Sequence, residues 1–272
     1  MSFDFKDRVA VVTGGASGIG AATVETLSAL GARVAVLDRT RDKAQALVDK
    51  LAGQGRAVSF HFCEMADEPG VQAATEAAAR EHGGVHVLVH CAGIQRYGDV
   101  LDTSIDVWRE TLAVHLDGCF YAVRSALPHI LAAGGGAIVI VGSVQTLTAV
   151  AGSAAYVTAK HALAGLTRSI ALDFARKNVR ANCVMPGAID TPMLRWAANL
   201  SPDPEAVLLG CAKAHAMGRI GRPEEVARAI AFLASDWASF ITGALLAVDG
   251  GMLVPTGGMG FQESGTGAVA KQ

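Results

Sequence analysis

The sequence predicts an α/β fold, in which a doubly wound parallel sheet of about seven strands is flanked by helices on both faces. Short apolar runs of strand length alternate with longer amphipathic stretches along most of the 272 residues. Hydrophobic residues make up 51% of the chain and charged residues 18%, a balance that suits strands buried on both faces. A glycine-rich turn also joins the first strand to the first helix. Together these observations favour one large α/β domain.

The elements follow in strict alternation. The predicted strands cover residues 8–12, 33–37, 57–62, 85–90, 137–141, 179–184 and 244–248. The predicted helices cover residues 19–30, 41–51, 71–81, 104–132, 154–175 and 223–233. Gly31, Gly83 and Gly134 mark helix ends, because glycine readily adopts the left-handed backbone found there. This order predicts parallel strands joined by right-handed crossovers.

The domain organisation is simple. We expect one domain over residues 1–272, with a core from about 6 to 252, because no linker or internal repeat divides the chain. Residues 187–222 are the least regular part of the core and are predicted to shape a substrate site. A glycine-rich tail covers residues 253–272.

Composition excludes several classes of partner. A net charge of -2 gives no electrostatic reason to expect nucleic acid or an anionic membrane as a partner. The five cysteines form no C-x-x-C motif, so neither a metal site nor a disulfide framework is indicated. The first residues lack the basic start and apolar run of a signal peptide. We therefore expect a cytoplasmic protein without a metal.

The glycine turn, Thr13 to Gly20, indicates a nucleotide site. Glycines there let the backbone approach a pyrophosphate at the start of a helix. Asp38 ends the second strand, where a carboxylate accepts hydrogen bonds from ribose hydroxyls and repels the extra phosphate of NADP. Asp38 could instead cap the next helix, and Arg39 could pair with a 2′-phosphate. NAD(H) is the preferred cofactor.

Tyr156 and Lys160 are four residues apart, which places a phenol and an ammonium on one face of a helix. A phenol titrates near 10, too high for a base at neutral pH. A cation about 4 Å away would lower its pKa by about three units at an effective dielectric near 20. The spacing therefore predicts an acidified tyrosine that exchanges protons, although alone it is typical of an ordinary helix face.

These motifs occur together in a known order. The glycine turn, the run His90-Cys91-Ala92-Gly93, Ser143, Tyr156, Lys160 and Pro186-Gly187 resembles the short-chain dehydrogenase/reductase family from about residue 6 to Met252. The resemblance implies a Rossmann-type fold and an oxidoreductase. It also implies that Ser143 orients the substrate oxygen, Tyr156 exchanges the proton, and Lys160 lowers the tyrosine pKa and holds the nicotinamide ribose.

The resemblance extends to the cofactor residues. It implies that Pro186, Gly187, Ile189 and Thr191 line the nicotinamide, although Thr191 could simply cap a helix before Pro192. The full set expected to bind NAD(H) is Gly14, Ser17, Gly18, Ile19, Gly20, Asp38, Arg39, Glu64, Met65, Cys91, Ala92, Gly93, Tyr156, Lys160, Pro186, Gly187, Ile189 and Thr191.

Three positions depart from the family pattern. His90-Cys91 replaces an Asn-Asn pair after the fourth strand, and Glu64-Met65 replaces an Asp-Val pair that touches adenine. His115 stands where the family has the Asn that completes its catalytic tetrad. Histidine can relay protons near neutral pH, so His115 is a fourth candidate catalytic residue. A buried histidine without a relay role is the open alternative.

The expected reaction is hydride transfer between NAD(H) and a small, weakly polar, possibly cyclic secondary alcohol or ketone. The alternative is an NAD(H)-binding sensor or scaffold with weak or no turnover, because His115 replaces the family Asn. The expected substrate contacts are Ser143, Gln145, Tyr156, Gln95 and Trp196, within a mostly apolar wall that adds Leu147, Val150, Met193, Leu200 and Leu208.

The resemblance also implies a homotetramer. Small apolar residues on the helices at 104–132 and 154–175 predict surface that a second copy could bury. They are Ala126, Ala155, Ala159, Ala162, Ala164 and Ala171.

Overall fold

Seven parallel strands form one sheet at the centre of the molecule. The computed structural model describes residues 4–254. The part of the predicted tail that follows Val254 lies outside the described residues. The strands are β1 (Val9–Thr13), β2 (Arg33–Asp38), β3 (Val58–Phe62), β4 (Val87–His90), β5 (Gly136–Val141), β6 (Val179–Pro186) and β7 (Leu245–Val248). They lie in the order β3-β2-β1-β4-β5-β6-β7. The predicted doubly wound α/β sheet is confirmed.

Helices cover both faces of this sheet. They are α1 (Gly18–Ala29), α2 (Arg41–Ala52), α3 (Glu68–His82), α4 (Ile105–Leu112), α5 (Gly118–Ala132), α6 (Ala154–Phe174), α7 (Pro192–Ala198), α8 (Pro204–Lys213) and α9 (Pro223–Ala234). Successive strand residues point to opposite faces. Leu88 and Ile138 pack in one buried cluster, and their neighbours Val89 and Val139 pack in the other.

The helix predicted at 104–132 is not a single α-helix. It consists of α4, a π-helical segment over Ala113–Asp117 that contains His115, and α5. The π segment keeps the same helical direction, so apolar periodicity alone did not reveal it. Gly118, the residue after the π segment, packs closely against the backbone of Met65. An added Cβ at Gly118 would lie 2.8 Å from the carbonyl oxygen of Met65.

The segment at 187–222 was expected to be irregular but contains α7 and α8. Each helix starts with a proline, at Pro192 and Pro204, and is capped by the preceding side chain. Thr191 accepts from the Leu194 amide, and Asp203 accepts from the Ala206 amide. Both signals are present in the sequence. The helices were missed because they are short.

Three other boundaries differ by more than one residue. The first is β4, which begins at Val87 rather than 85, and the second is β6, which continues to Pro186 because that residue pairs with Val248 of β7. The third is α3, which begins at Glu68 rather than 71, with a proline in its first turn. The extension of β6 carries the chain directly to the edge of the candidate site.

The alanines predicted to face a second copy are packed inside the chain. Ala126, Ala155, Ala159, Ala164 and Ala171 are buried in the described part of the molecule, and Ala162 is half-buried. Those helices expose larger apolar side chains instead, at Ile105, Phe120 and Leu172. Within residues 4–254, no helix is both long enough and apolar enough to span a bilayer.

Candidate active site

A cavity of about 270 Å³ opens where β1, β2 and β4 end. Its walls include most of the predicted cofactor residues, namely Gly14, Ser17, Gly18, Ile19, Gly20, Asp38, Arg39, Glu64, Met65, Cys91, Ala92, Gly93 and Thr191. Met193, which the sequence predicted as part of the substrate wall, also lines it, as do six residues that the sequence had not indicated, namely Leu37, Thr40, Cys63, Ile94, Val114 and Pro192. Tyr156, Lys160, Pro186, Gly187 and Ile189 are not among its lining residues.

The glycine turn gives this cavity its backbone floor. Gly14 and Gly18 have φ angles of +64° and +53°, which glycine adopts with little strain. An added Cβ at Gly14 would lie 2.6 Å from the Cα of Ala92. The side chain of Ser17 does not cap α1, so amide groups at the start of this helix remain open to an anion such as a pyrophosphate. The residues present fit a dinucleotide.

Asp38 connects the acidic side of the cavity to the glycine turn. One carboxylate oxygen accepts from the Ala16 amide at 2.9 Å, and the other accepts from the Thr40 amide at 2.8 Å. Arg39 lies 3.6 Å from the Glu64 carboxylate, so its charge is paired. The carboxylate of Asp38 is thus fixed at the cavity wall, where it can meet ribose hydroxyls.

Lys160, on α6, is buried next to the end of β5. Its ammonium donates to the carbonyl of Val141 at 2.9 Å, and only 5% of the residue is exposed. Burial lowers the pKa of Lys160 to about 8. The Nζ atom is 5.5 Å from the centroid of the Tyr156 ring. The predicted neighbourhood of phenol and ammonium is therefore present.

The pKa of Tyr156 contradicts the sequence-based expectation. Burial raises it to about 12, whereas the sequence predicted a lowered value. A hydrogen bond with the Ser143 side chain acts in the opposite direction, and the phenol of Tyr97 adds to the increase. Removal from water penalises the phenolate more than these chain groups favour it. Acidification therefore needs further positive charge at the site.

Ser143 follows β5 and precedes a short 3-10 helix over Val144–Thr146. Its hydroxyl accepts from the Gln145 amide at 3.2 Å, while its own amide donates to the Thr146 hydroxyl at 3.1 Å. This local turn aims the buried hydroxyl of Ser143 at Tyr156. Ser143 and Tyr156 therefore lie within hydrogen-bond distance of each other.

His115 is buried between the cavity wall and Tyr156. Its Nε2 lies 2.7 Å from the carbonyl oxygen of Ile94 and 3.1 Å from the amide of Ile94. Burial and the charge of Lys160 hold the pKa of His115 well below its ordinary value. Its Nδ1 has no hydrogen-bond partner in the described chain. A neutral imidazole that holds the loop at Ile94 fits these contacts better than a charged relay.

His90, at the end of β4, links two neighbouring strands at the centre of the sheet. Its Nδ1 lies 2.9 Å from the hydroxyl of Thr13 on β1. Burial lowers the pKa of His90 to about 3, and the charge of Lys160 acts in the same direction. Its Nε2 meets no partner with hydrogen-bond geometry in residues 4–254. A neutral imidazole therefore links β1 to β4 here.

The loop after β6 is held by a histidine that the sequence had not placed there. His215 is buried after α8 and accepts at Nε2 from the Ala188 amide at 3.1 Å. Its Nδ1 lies 2.7 Å from the Cys211 carbonyl, to which it donates. The ring fills the space where a Cβ on Gly187 would stand. The hydroxyl of Thr191 caps α7 at 3.2 Å from the Leu194 amide.

The predicted substrate residues differ in their exposure to solvent, and among them Met193 lines the cavity. The amide oxygen of Gln145 is buried without a partner in the described chain, while Leu147, Val150, Met193, Trp196 and Leu200 are exposed. The amide nitrogen of Gln95 lies 3.4 Å from the carbonyl of Arg96. Leu208 is half-buried on α8. Tyr97, which the sequence did not single out, stacks on Trp196.

The described residues contain no His, Cys, Asp or Glu cluster that could hold a metal ion. A Rossmann-type sheet, a glycine-floored cavity and a buried set of serine, tyrosine and lysine define the class of a dinucleotide-dependent oxidoreductase.

Comparisons with known proteins agree with this class. A family model described as enoyl-(acyl carrier protein) reductase matches residues 14–253. A cyclohexanol dehydrogenase of Acinetobacter sp. is 40% identical over 92% of this chain and 96% of that protein. A cis-4-hydroxycyclohexanecarboxylate dehydrogenase of Sinomonas cyclohexanicum is 43% identical over 91% of this chain and 97% of that protein.

A solved structure gives the same result. The aldohexose dehydrogenase of Thermoplasma acidophilum has a TM-score of 0.86 and 38% identity, with 94% of this chain and 97% of that chain covered. The chain belongs to the short-chain dehydrogenase/reductase family and is an oxidoreductase.

Proposed function

We propose that this protein is an NAD(H)-dependent dehydrogenase of small, weakly polar secondary alcohols, cyclic ones included, working in either direction. The observation that carries this proposal is the buried set of Ser143, Tyr156 and Lys160 beside the glycine-floored cavity. NAD(H), when bound, would accept or supply the hydride. All remaining chemistry falls to side chains of this chain.

Tyr156 is the proposed general acid and base. Its phenolate oxygen accepts the hydroxyl proton when an alcohol is oxidised, and its hydroxyl returns a proton when a ketone is reduced. The Ser143 hydroxyl holds the substrate oxygen beside the phenol. Lys160 keeps a positive charge nearby, since its pKa of about 8 leaves it mostly protonated at neutral pH. That charge favours the phenolate.

Lys160 and the loop after β6 have proposed cofactor roles as well. Lys160 would hold the nicotinamide ribose, and Pro186, Gly187, Ile189 and Thr191 would line the nicotinamide. The contact between His215 and Ala188 supports a fixed loop conformation. In the cavity, Glu64 and Met65 are proposed to contact adenine.

NAD(H) is preferred over NADP(H) on electrostatic grounds. The fixed carboxylate of Asp38 stands at the cavity wall and would repel a 2′-phosphate. Arg39, which could otherwise pair with that phosphate, lies 3.6 Å from Glu64. The acidic side of the cavity therefore favours a free ribose diol.

The alcohol class is proposed from the relatives and from the wall. The names of related proteins include dehydrogenases of cyclohexanol, hydroxycyclohexanecarboxylate, threitol and butanediol. The proposed substrate wall is mostly apolar, which suits a compact and weakly polar molecule. By family resemblance we propose a homotetramer, and from the cysteine pattern and the first residues we propose a cytoplasmic location.

The test is turnover of NAD with a panel of small secondary alcohols, and of NADH with the matching ketones. We expect reduction of NAD by at least one cyclic alcohol. The sensor alternative draws support from the buried, uncharged imidazole of His115. Tight NADH binding without turnover across the whole panel would favour that alternative and overturn the proposal.

A further inference from the structure

Tyr97 and Trp196 form a parallel aromatic pair at the mouth of the site. Their ring centroids are 6.4 Å apart and their planes differ by 12°, an offset stack. Tyr97 follows β4, whereas Trp196 belongs to α7, so the pair joins two separate parts of the chain. Both side chains keep much of their surface exposed, at 51% for Tyr97 and 45% for Trp196.

The pair stands close to the reacting phenol. Gly98, the neighbour of Tyr97, donates its amide to the carbonyl of Gly152 at 2.8 Å, just before α6 and Tyr156. Tyr97 is near enough to raise the pKa of Tyr156. An apolar ring held at Tyr156 would therefore have aromatic surface within reach.

The cations beside this pair are neutralised in pairs. Arg96 makes a bidentate ion pair with Glu110, at 2.9 and 2.7 Å. Arg195, on α7, makes another with Asp190, at 2.7 and 2.8 Å. Both ion pairs are partly exposed, and a carboxylate on the substrate would have to compete with Glu110 or Asp190 to gain a charged partner.

We propose that Tyr97 and Trp196 form a specificity wall that selects an uncharged ring alcohol over the same ring bearing a carboxylate. The inference rests on the proposed function and narrows its substrate class. The aromatic faces contact the ring carbons remote from the hydroxyl. The arginines, already paired with carboxylates, add no net attraction for a negative charge on the substrate.

The first test compares cyclohexanol with cis- and trans-4-hydroxycyclohexanecarboxylate as probes. We expect kcat/KM for cyclohexanol to exceed that for either carboxylate by about a hundredfold. If wild-type protein turns over other alcohols of the panel but none of these probes, this inference is overturned and the proposed function stands, whereas no turnover across the whole panel overturns both. If it turns over alcohol and carboxylates equally well, the proposed function stands and this inference is overturned.

Variants assign the selection to the named residues. Trp196→Ala should raise KM for cyclohexanol about tenfold with kcat little changed, because Trp196 does not touch the reacting atoms, and Trp196→Phe should restore most of the loss. Tyr97→Phe should retain activity, whereas Tyr97→Ala should lose activity because its KM for cyclohexanol rises. Unchanged KM in both alanine variants would contradict the wall.

A charge variant tests the arginine pairing. Glu110→Gln frees Arg96 and should improve kcat/KM for the carboxylate probes by about tenfold relative to cyclohexanol. Glu76→Gln, which removes one partner of the exposed pair with Arg80 on α3, is the matched control and should leave the ratio unchanged. No change with Glu110→Gln would contradict the assigned role of the pair.

Quenching of Trp196 fluorescence by cyclohexanone, absent in Trp196→Phe, provides a binding readout independent of turnover.

Discussion

The imidazole of His115 meets the phenol ring of Tyr156 edge to face, with planes at 90° and centroids 5.2 Å apart. The same imidazole contacts the backbone of Ile94, whose side of the loop lines the cavity. Because its pKa is held well below the ordinary value, His115 is uncharged at neutral pH. These contacts favour a role in positioning Tyr156 and the loop over proton transfer as imidazolium.

His115→Asn is expected to preserve or raise activity, with kcat/KM within about tenfold of wild type or above it. The pH profile of kcat should keep its shape, since no imidazolium forms across neutral pH. His161→Asn, at an exposed position on α6, is the matched control. Complete loss of activity in folded His115→Asn protein would show that the imidazole has chemistry of its own.

Lys160→Met should make the protein more stable at neutral pH. The folded pKa of about 8 lies below the ordinary 10.5, so the buried ammonium opposes folding by roughly 3 kcal/mol below pH 8. Losing the hydrogen bond to Val141 offsets about 1 kcal/mol of the gain. Between those two pKa values the unfolded chain binds more protons, so wild-type stability rises with pH and the advantage of the variant shrinks.

Urea unfolding between about pH 7 and about pH 9.5 measures this effect. Lys43→Met, at an exposed position on α2, should show no such dependence. A Lys160→Met variant that is less stable than wild type at every pH would mean that the ammonium contributes net stabilisation.

Asp38→Asn should weaken the preference for NADH over NADPH. The amide keeps the shape and one acceptor oxygen but removes the charge that repels a 2′-phosphate. We expect wild type to bind NADH at least about tenfold more tightly than NADPH, and the variant to lose most of that ratio. Fluorescence titration of both cofactors measures it. Tighter binding of NADPH by wild type would refute the role assigned to Asp38.

His215→Leu should weaken NADH binding about tenfold, because the Ala188 amide loses its acceptor and the loop after β6 loses its support. His215→Gln can place an oxygen near the former Nε2 position and should bind NADH within about threefold of wild type. Calorimetric titration well below the unfolding temperature separates positioning from stability. Equal affinities of the two variants would show that the hydrogen bond has no positioning role.

Sequence reasoning predicted the sheet well because both of its faces are buried. A continuous apolar run such as residues 138–141 is typical of a strand that helices cover on both faces, and glycines mark where helices end. The π segment around His115 was not predicted because one inserted residue barely disturbs helical periodicity. The short helices α7 and α8 escaped although Pro192 and Pro204 signalled their starts.

The candidate site was predicted by motif order, but its electrostatics were not. The spacing of Tyr156 and Lys160 gives their separation along a helix, whereas desolvation depends on every element packed around them. Burial therefore moved the pKa of Tyr156 upward, opposite to the prediction. The stacking of Tyr97 on Trp196 and the hydrogen bond between His215 and Ala188 were not predicted for a related reason, because each contact joins different segments of the chain.

The most direct test of the central claim is the pH dependence of alcohol oxidation by wild type and Tyr156→Phe, at saturating NAD. If Tyr156 is the proton acceptor, the positive charge of the oxidised cofactor, added to that of Lys160, must bring its pKa down from the value of about 12 that the chain alone produces. We predict that wild-type kcat rises through an apparent pKa several units below that value, and that Tyr156→Phe loses about a thousandfold in kcat while still binding NADH. Comparable turnover by the two proteins would contradict the account.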